Sequence, residues 1–198
     1  MHSKPAQRME KQTLSEAEIL RGCLANDRKY QEALYRKYAD DMYAVCLMYT
    51  PQPADAQDVL QNAFIRIFAS LHQYEAKGHL RAWVRRIVVN AAIDFYKKRR
   101  REQDLWQGWE DDEQAMAQVS VDEILSKVNY QDTIRLVNAL PERAQMVLKL
   151  YAIEGYKHSE IADIMGINEG TSKSQLNRAK RLLQEALQHQ QRAIDERK

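Results

Sequence analysis

Cysteine, glycine and proline are scarce in this chain, and a long apolar run is missing altogether. Its two cysteines, Cys23 and Cys46, each stand alone within a helical apolar pattern, so we expect buried free thiols and no disulfide. No stretch approaches the roughly 20 apolar residues that span a bilayer. The polar residues 1–13 lack the apolar core of a signal peptide. These absences predict a cytoplasmic protein that does not insert into a membrane.

The six glycines and four prolines leave room for long helices. Apolar residues recur at helical spacing along most of the chain, and no segment has the alternation of a convincing strand. Ser15 followed by Glu18 has the spacing of a capping box, which predicts the start of the first helix. We therefore predict an all-α fold.

Signatures of catalysis are also missing. The sequence contains no glycine-rich phosphate loop, no HExxH, no paired CxxC and no GxSxG motif. Its five histidines share no spacing typical of metal ligands. Asp55 and Asp58 could hold a cation, but a solvated first turn of a helix explains them more simply. We predict no enzymatic activity, no cofactor and no bound metal.

The small net charge of +2 hides a strong segregation of charge. Residues 1–101 carry 18 lysines and arginines against 11 acids, whereas residues 102–132 carry one lysine and nine acids. Residues 133–198 are basic again, with 11 basic and eight acidic side chains. Two basic blocks around an acidic one indicate two small helical domains that bind polyanions, joined by a flexible acidic linker. Solvated helix faces that differ by chance are the simpler alternative.

The segment from His158 to Leu183 has the pattern of a helix-turn-helix. Apolar residues mark a first helix, Gly166 suits the left-handed turn that ends it, and a second amphipathic helix follows. Such a second helix can lie in the major groove of DNA, although an ordinary helical hairpin shares much of the pattern. The predicted inward residues are Leu176, Ala179, Leu182 and Leu183, and the predicted outward residues are Lys173, Ser174, Asn177, Arg178 and Arg181.

A second helix, over residues 79–101, also has features of a nucleic-acid reader. It combines Trp83 with exposed arginines, the amide Asn90 and a terminal basic run. Cations bind phosphates and aromatic rings stack on unpaired bases. The loop before it carries Tyr74, Lys77 and His79, which could form a pocket for an extruded base. A core tryptophan surrounded by solvated cations is the alternative.

Two blocks of sequence resemble one known family. DAQDVLQNAFIRIFASLHQYEAKGHLRAWVRRIVVNAAIDFYKKRRR (55–101) resembles region 2 of the extracytoplasmic-function (ECF) sigma factors of bacterial RNA polymerase. LPERAQMVLKLYAIEGYKHSEIADIMGINEGTSKSQLNRAKRLL (140–183) resembles their region 4. The resemblance extends over about residues 15–187. It implies a region 2-like domain over 15–101, a linker over 102–132 and a region 4-like domain over 133–187.

The resemblance implies a role for each block. Residues 55–64 resemble the surface that docks on the clamp helices of the polymerase β′ subunit. Helix 79–101 and its preceding loop would read the melted −10 element, and the helix 171–184 would read the −35 duplex, with Thr171 capping that helix and touching phosphate. The implied polymerase contacts are Asp55, Asp58, Gln61 and Asn62. The implied −10 contacts are Tyr74, Lys77, His79, Trp83, Arg86, Asn90 and Asp94. The implied −35 contacts are Thr171, Lys173, Ser174, Asn177 and Arg178.

The sequence departs from the resembled family near the start of the second helix. Ser172 stands where the family commonly has a small aliphatic residue, and Gln175 stands where it often has an arginine. Base preference therefore does not transfer.

The leading prediction is a sigma factor that binds core RNA polymerase and promoter DNA, with an anti-sigma factor as a plausible further partner. A dimeric helix-turn-helix repressor or activator and a helical protein-interaction module remain as alternatives. The acidic linker either mimics nucleic acid in the polymerase or is a generic solvated connection.

Overall fold

A computed structural model of the chain describes residues 14–76, 78–102, 120–125 and 129–195. In these ranges the regular structure is helical and no strand occurs, which confirms the all-α prediction. The helices are α1 (Glu16–Leu24), α2 (Arg28–Tyr49), α3 (Pro53–Ser70), α4 (Leu80–Glu102), α5 (Val121–Leu125), α6 (Tyr130–Asn138), α7 (Glu142–Ala152), α8 (His158–Met165) and α9 (Glu169–Asp195). A single 3-10 turn, Leu71–Gln73, follows α3.

The chain divides into two compact units between Tyr96 and Lys97, inside α4. This division falls shortly before the predicted end of the first domain at Arg101. The predicted limits of 15–101, 102–132 and 133–187 stay predictions, and α9 continues beyond residue 187.

The first unit is a bundle built on the helices α1 to α3 and most of α4. Ser15 and Glu18 form the predicted capping box, with the Glu18 N–H donating to Ser15 Oγ at 3.3 Å and the Ser15 N–H donating to Glu18 Oε2 at 2.8 Å. Both cysteines are buried free thiols, as predicted. Burial raises the pKa of the Cys46 thiol to about 12, so it stays protonated and unreactive. Fully buried apolar side chains fill the bundle: Leu34, Met42, Ile67, Val84 and Val88.

The second unit contains α5 to α9. In it α9 packs against α7 and α8, and Gly166 at φ 68° and ψ 43° makes the predicted left-handed turn between α8 and α9. Glycine adopts this conformation without the steric penalty of a side chain. The inward prediction for α9 is confirmed at Leu176, Ala179 and Leu183, which are 4%, 0% and 1% exposed.

Part of the predicted flexible linker is ordered. Val121–Leu125 is a helix that packs against α9, and Val121 and Ile124 are 5% and 2% exposed. The expectation of flexibility is therefore wrong for these five residues, because two apolar side chains one turn apart give the segment a buried face. Most of the acidic stretch, residues 103–119, lies outside the described residues.

Among the described helices, none is long and apolar enough to cross a membrane.

Candidate nucleic-acid interface

Helix α4 presents the predicted −10 residues on the side opposite its buried face. Leu80, Val84 and Val88 are nearly or fully buried, whereas Arg86 is exposed and both Trp83 and Asn90 are half-buried. Residues three and four apart share one face of a helix. The three predicted contacts, Trp83, Arg86 and Asn90, therefore form one continuous strip.

Asn90 carries an unsatisfied polar atom. Its Oδ1 is buried and has no hydrogen-bond partner in the described structure. A buried acceptor without a donor typically costs about 1–3 kcal/mol, so proteins rarely leave one unless it serves a purpose. The Asn90 residue itself is half-buried, so a rotation of its amide would bring the acceptor to the surface, where the amino group of a base could donate to it.

Tyr74 and Trp83 form a tilted aromatic pair beside this strip. Their ring centroids are 5.5 Å apart, with an angle of 52° between the planes. The Tyr74 hydroxyl donates to the carbonyl oxygen of Gly78, so this hydrogen bond links the two ends of the loop. Trp83 is thus neither a core residue nor a free surface ring: it lies half-buried against the loop that was predicted to hold a base.

The remaining loop residues are only partly defined. The carbonyl oxygen of His79 accepts hydrogen bonds from the N–H groups of Ala82 at 2.9 Å and Trp83 at 3.3 Å, so His79 directly precedes the first turn of α4, and its side chain is exposed. Lys77 lies outside the described residues.

Asp94 makes an ion pair that the sequence did not predict. Its Oδ2 lies 2.6 Å from Nη1 of Arg66 on α3, and both side chains are about half exposed. These residues are 28 positions apart, so no local pattern indicates the contact. Asp94 and Arg66 therefore form an ion pair at the surface of the first unit.

The predicted polymerase-binding residues lie on one side of α3. Asp58, Gln61 and Asn62 are exposed and Asp55 is half-buried. The Asn62 side-chain amide donates to the carbonyl oxygen of Asp58 at 2.9 Å, one turn earlier. Ile65, which our sequence reasoning missed, continues this face and is 67% exposed, the most exposed of the large apolar side chains in the described residues. Its i+7 spacing from Asp58 was the available signal.

In α9, the predicted −35 contacts differ in how accessible they are. Lys173 is exposed and pairs with Glu169 at 2.6 Å, while Asn177 and Arg178 are half-buried. The Ser174 hydroxyl donates to the carbonyl oxygen of Thr171 at 3.0 Å. A cation and polar groups therefore remain along the outer side of the helix.

The predicted role of Thr171 as a helix cap is wrong. Helix α9 begins at Glu169, two residues earlier than the prediction requires, and the Oδ1 of Asn168 accepts the hydrogen bond from the Thr171 N–H at 2.6 Å. Asparagine is one of the strongest N-cap residues, and here it precedes the helix. The Thr171 side chain is 2% exposed, so it lies inside the unit.

Polar side chains occupy buried positions in this unit. Ser172 and Gln175, the two departures noted above, are 0% and 1% exposed and therefore do not lie on the outer face. Nδ1 of His158 lies 2.9 Å from Oγ of Ser172, and its ring stacks on Tyr151 with centroids 4.9 Å apart. Lys149 is 6% exposed, and burial lowers its pKa to about 8. Sequence reasoning missed both His158 and Lys149 because each belongs to an otherwise amphipathic helix.

No group of three or more histidine, cysteine, aspartate or glutamate side chains suited to a metal ion occurs in the described part of the chain.

Comparisons with known proteins match both units. The family model described as "Sigma-70 region 2" matches residues 34–102, and the one described as "Sigma-70, region 4" matches residues 130–183. The chain is 27% identical to the ECF RNA polymerase sigma factor SigM of Bacillus subtilis over 153 residues, which cover 77% of this chain and 91% of SigM. It is 26% identical to the ECF RNA polymerase sigma-E factor of Escherichia coli over 175 residues, covering 82% of this chain and 88% of that protein.

The chain is also similar to a solved structure of the sigma factor RpoE in complex with the anti-sigma factor NepR from Bartonella quintana. The TM-score is 0.48 at 24% identity, and the match covers 79% of this chain and 96% of that chain.

Proposed function

The chain belongs to the extracytoplasmic-function sigma factors of bacterial RNA polymerase, and on that premise we propose a division of promoter recognition between its two helical units. As a sigma factor it binds core RNA polymerase and promoter DNA and directs transcription initiation. In the proposal, α4 and its preceding loop bind unpaired −10 bases, and α9 reads the −35 duplex. The dimeric repressor is not favoured, because both matching family models describe sigma-70 regions.

The unsatisfied Oδ1 of Asn90 is the observation that carries the −10 assignment. It lies on the same strip as the exposed Arg86 and the half-buried Trp83. Arginine attracts the phosphate backbone, and an indole gives an unpaired base a stacking surface. The strip therefore offers charge, stacking and one hydrogen-bond acceptor to single-stranded DNA.

The exposed Asp94–Arg66 pair extends this strip along α4. In the proposal, Arg66 contributes a cation to the DNA path and Asp94 holds it in place. Tyr74, Lys77 and His79 complete the −10 site as the loop that takes a flipped base. Extrusion of a base costs a few kcal/mol, and binding of the exposed base offsets that cost.

The −35 assignment is supported by the polar outer side of α9. Lys173, Ser174, Asn177 and Arg178 lie within its first three turns, the part of a recognition helix that enters the major groove. Lysine and arginine there serve phosphates or guanine, and Asn177 suits adenine. In this account the buried Thr171 side chain does not reach DNA. The residue contributes through its backbone N–H, which donates to Asn168, and through its packing inside the unit.

We assign polymerase docking to the outer side of α3. Asp55, Asp58, Gln61 and Asn62 offer polar contacts to the β′ clamp helices, and Ile65 adds an apolar contact at the same face. An exposed isoleucine within a polar patch is typical of a protein interface, where one buried apolar group contributes much of the affinity.

The chain matches initiation factors, and we propose that it catalyses no reaction itself and acts in the cytoplasm, where promoter DNA and polymerase meet. An anti-sigma factor that holds it inactive stays a prediction, with no residue assigned to it.

Run-off transcription with purified core polymerase tests the proposal. Promoters with randomised −35 and −10 elements are transcribed by core enzyme alone and by core enzyme with this chain, and the initiating sequences are read. We expect the chain to select motifs in both elements at one fixed spacing. Initiation that shows no sequence preference, or a preference in only one element, would contradict the division.

A further inference from the structure

One polar contact in the second unit has no part in the function proposed above. His158, the first residue of α8, places its Nδ1 2.9 Å from Oγ of Ser172 in α9. Its ring also stacks on Tyr151 of α7, with an interplanar angle of 20°. The imidazole of this α8 residue therefore contacts both α9 and α7.

Ser172 is 0% exposed, so its hydroxyl has no contact with water. A buried hydroxyl destabilises a protein unless it is hydrogen bonded. Because His158 provides that hydrogen bond, the histidine and the serine depend on each other.

We propose that His158 and Ser172 form a positioning pair that fixes α9 against α8 and α7 and thereby sets how Lys173 and Asn177 meet the −35 duplex. The pair's link to DNA rests on the proposed function. Ser172 directly precedes Lys173 and lies in the same first turns as Asn177. A shift of this end of α9 against α8 and α7 therefore moves the side chains that face DNA. His158 and Ser172 act through those side chains and not by contact with a base.

The protonation state of His158 makes the pair sensitive to pH. Burial lowers the pKa of His158 below its ordinary value of 6.5, and Lys173 and Lys180 of α9 lower it further, whereas Glu169 of α9 opposes them. From α7, the group against the ring is the Tyr151 phenol. The unfolded chain therefore takes up the proton first as the pH falls. The stabilisation by neutral His158 is fully present above about pH 6.5 and is lost as the pH falls through the lowered pKa.

A double-mutant cycle on the full chain tests the pair without DNA or polymerase. His158→Phe keeps a ring against Tyr151 but leaves the Ser172 hydroxyl buried without its partner, and Ser172→Ala leaves the imidazole without its own. The double variant removes both polar groups. By hydrogen–deuterium exchange near neutral pH, we expect α8 and α9 amides to exchange about tenfold faster in each single variant, and close to the wild-type rate in the double variant. Additive losses in the double variant would overturn the pairing.

The second arm of the test measures promoter DNA binding by the reconstituted holoenzyme. The probes are a promoter selected by the wild-type holoenzyme and the same promoter with a scrambled −35 element. We expect the single variants to lose most of the preference for the intact −35 element and the double variant to recover it. As the pH falls below about 6.5 and through the lowered pKa of His158, we expect the wild-type preference to fall, while the double variant stays nearly constant.

The two arms separate the two hypotheses. A wild-type holoenzyme with no −35 preference contradicts the proposed function, whereas the exchange cycle still decides the pairing. Equal pH dependence in the wild type and the double variant, or full −35 preference in both single variants, contradicts the positioning role.

Discussion

At the scale of single residues, the Asn90 side chain of the proposed −10 site lacks a hydrogen bond in the free protein that bound DNA would supply. The Oδ1 of Asn90 is buried without a donor, and Asn90 itself is half-buried on the same strip of α4 as the exposed Arg86. A donor from a base would supply the missing hydrogen bond. Asparagine at this position therefore favours affinity for DNA at the expense of the stability of the free protein.

Replacing Asn90 with alanine should leave stability unchanged or improve it. Asn90→Ala removes an unsatisfied acceptor and introduces a better helix former, so we expect the free energy of unfolding to stay constant or rise by up to about 1 kcal/mol. Urea unfolding followed by circular dichroism measures it. Asn62→Ala on α3 is the matched control, because it makes the same change in helix propensity and loses only an exposed hydrogen bond to the carbonyl oxygen of Asp58. A loss of more than about 1 kcal/mol in Asn90→Ala alone would mean that the amide is part of the structure.

Burial at single positions also separates the residues that the sequence could identify from those that it could not. Arg86, Lys173 and the polar residues of α3 were predictable, since amphipathic periodicity places them outside. Thr171 was misassigned because Asn168 and Thr171 are both acceptable caps, and the choice depends on where the helix begins. Arg66 was missed because its partner is remote in sequence.

At the scale of helices, the outer side of α3 is the best-defined candidate for a protein contact. Polar residues recur along it from Asp55 to Asn62, and Ile65 ends the series with two-thirds of its side chain exposed. An apolar group left in water stabilises a complex when a partner covers it.

Ile65→Ala should weaken polymerase binding with little effect on folding. We expect the affinity for core polymerase to fall about tenfold, which corresponds to the burial of a few methylene groups, while the unfolding midpoint changes little. Fluorescence anisotropy of the labelled chain titrated with core enzyme measures the affinity. Leu24→Ala on α1 is the control, since Leu24 is 54% exposed and lies outside the proposed face. Equal losses in both variants would remove Ile65 from the interface.

The turn between α8 and α9 requires glycine because of its backbone conformation and not because a side chain would lack room. A Cβ at Gly166 would meet nothing within 4 Å, yet the backbone has φ 68°. We expect Gly166→Ala to destabilise the second unit by about 1–2 kcal/mol, measured by thermal unfolding. Gly78→Ala is the control, because Gly78 also has open space but no left-handed φ. A destabilisation of the same size in both variants would point to a cause other than the left-handed turn.

The helices themselves were largely predictable, and the exception shows why. Capping residues, Gly166 and 3.6-residue periodicity indicate α1 to α4 and the helix-turn-helix. Helix α5 has five residues, too few for periodicity to distinguish it from a linker, and its two buried side chains become a face only when α9 is present.

At the scale of the whole molecule, charge is arranged to suit two separate contacts with a polyanion. Nearly all of each range matched to regions 2 and 4 lies within one of the basic blocks, and most of the acidic block lies between the two ranges. The charge segregation was predictable from the sequence, because it depends only on the residue types along the chain and not on their contacts in the fold. The function of the acidic linker stays a prediction, since most of it lies outside the described residues.

The most direct test of bipartite promoter recognition is a crossed comparison of Asn90→Ala and Asn177→Ala in holoenzyme. Both remove the same amide, one from α4 and one from α9. Binding is measured on a probe with a premelted −10 element and on a probe that carries the −35 duplex alone. We expect Asn90→Ala to lose about 5- to 100-fold on the first probe and almost nothing on the second, and Asn177→Ala to show the reverse. Equal losses by either variant on both probes would contradict the division of recognition between the two units.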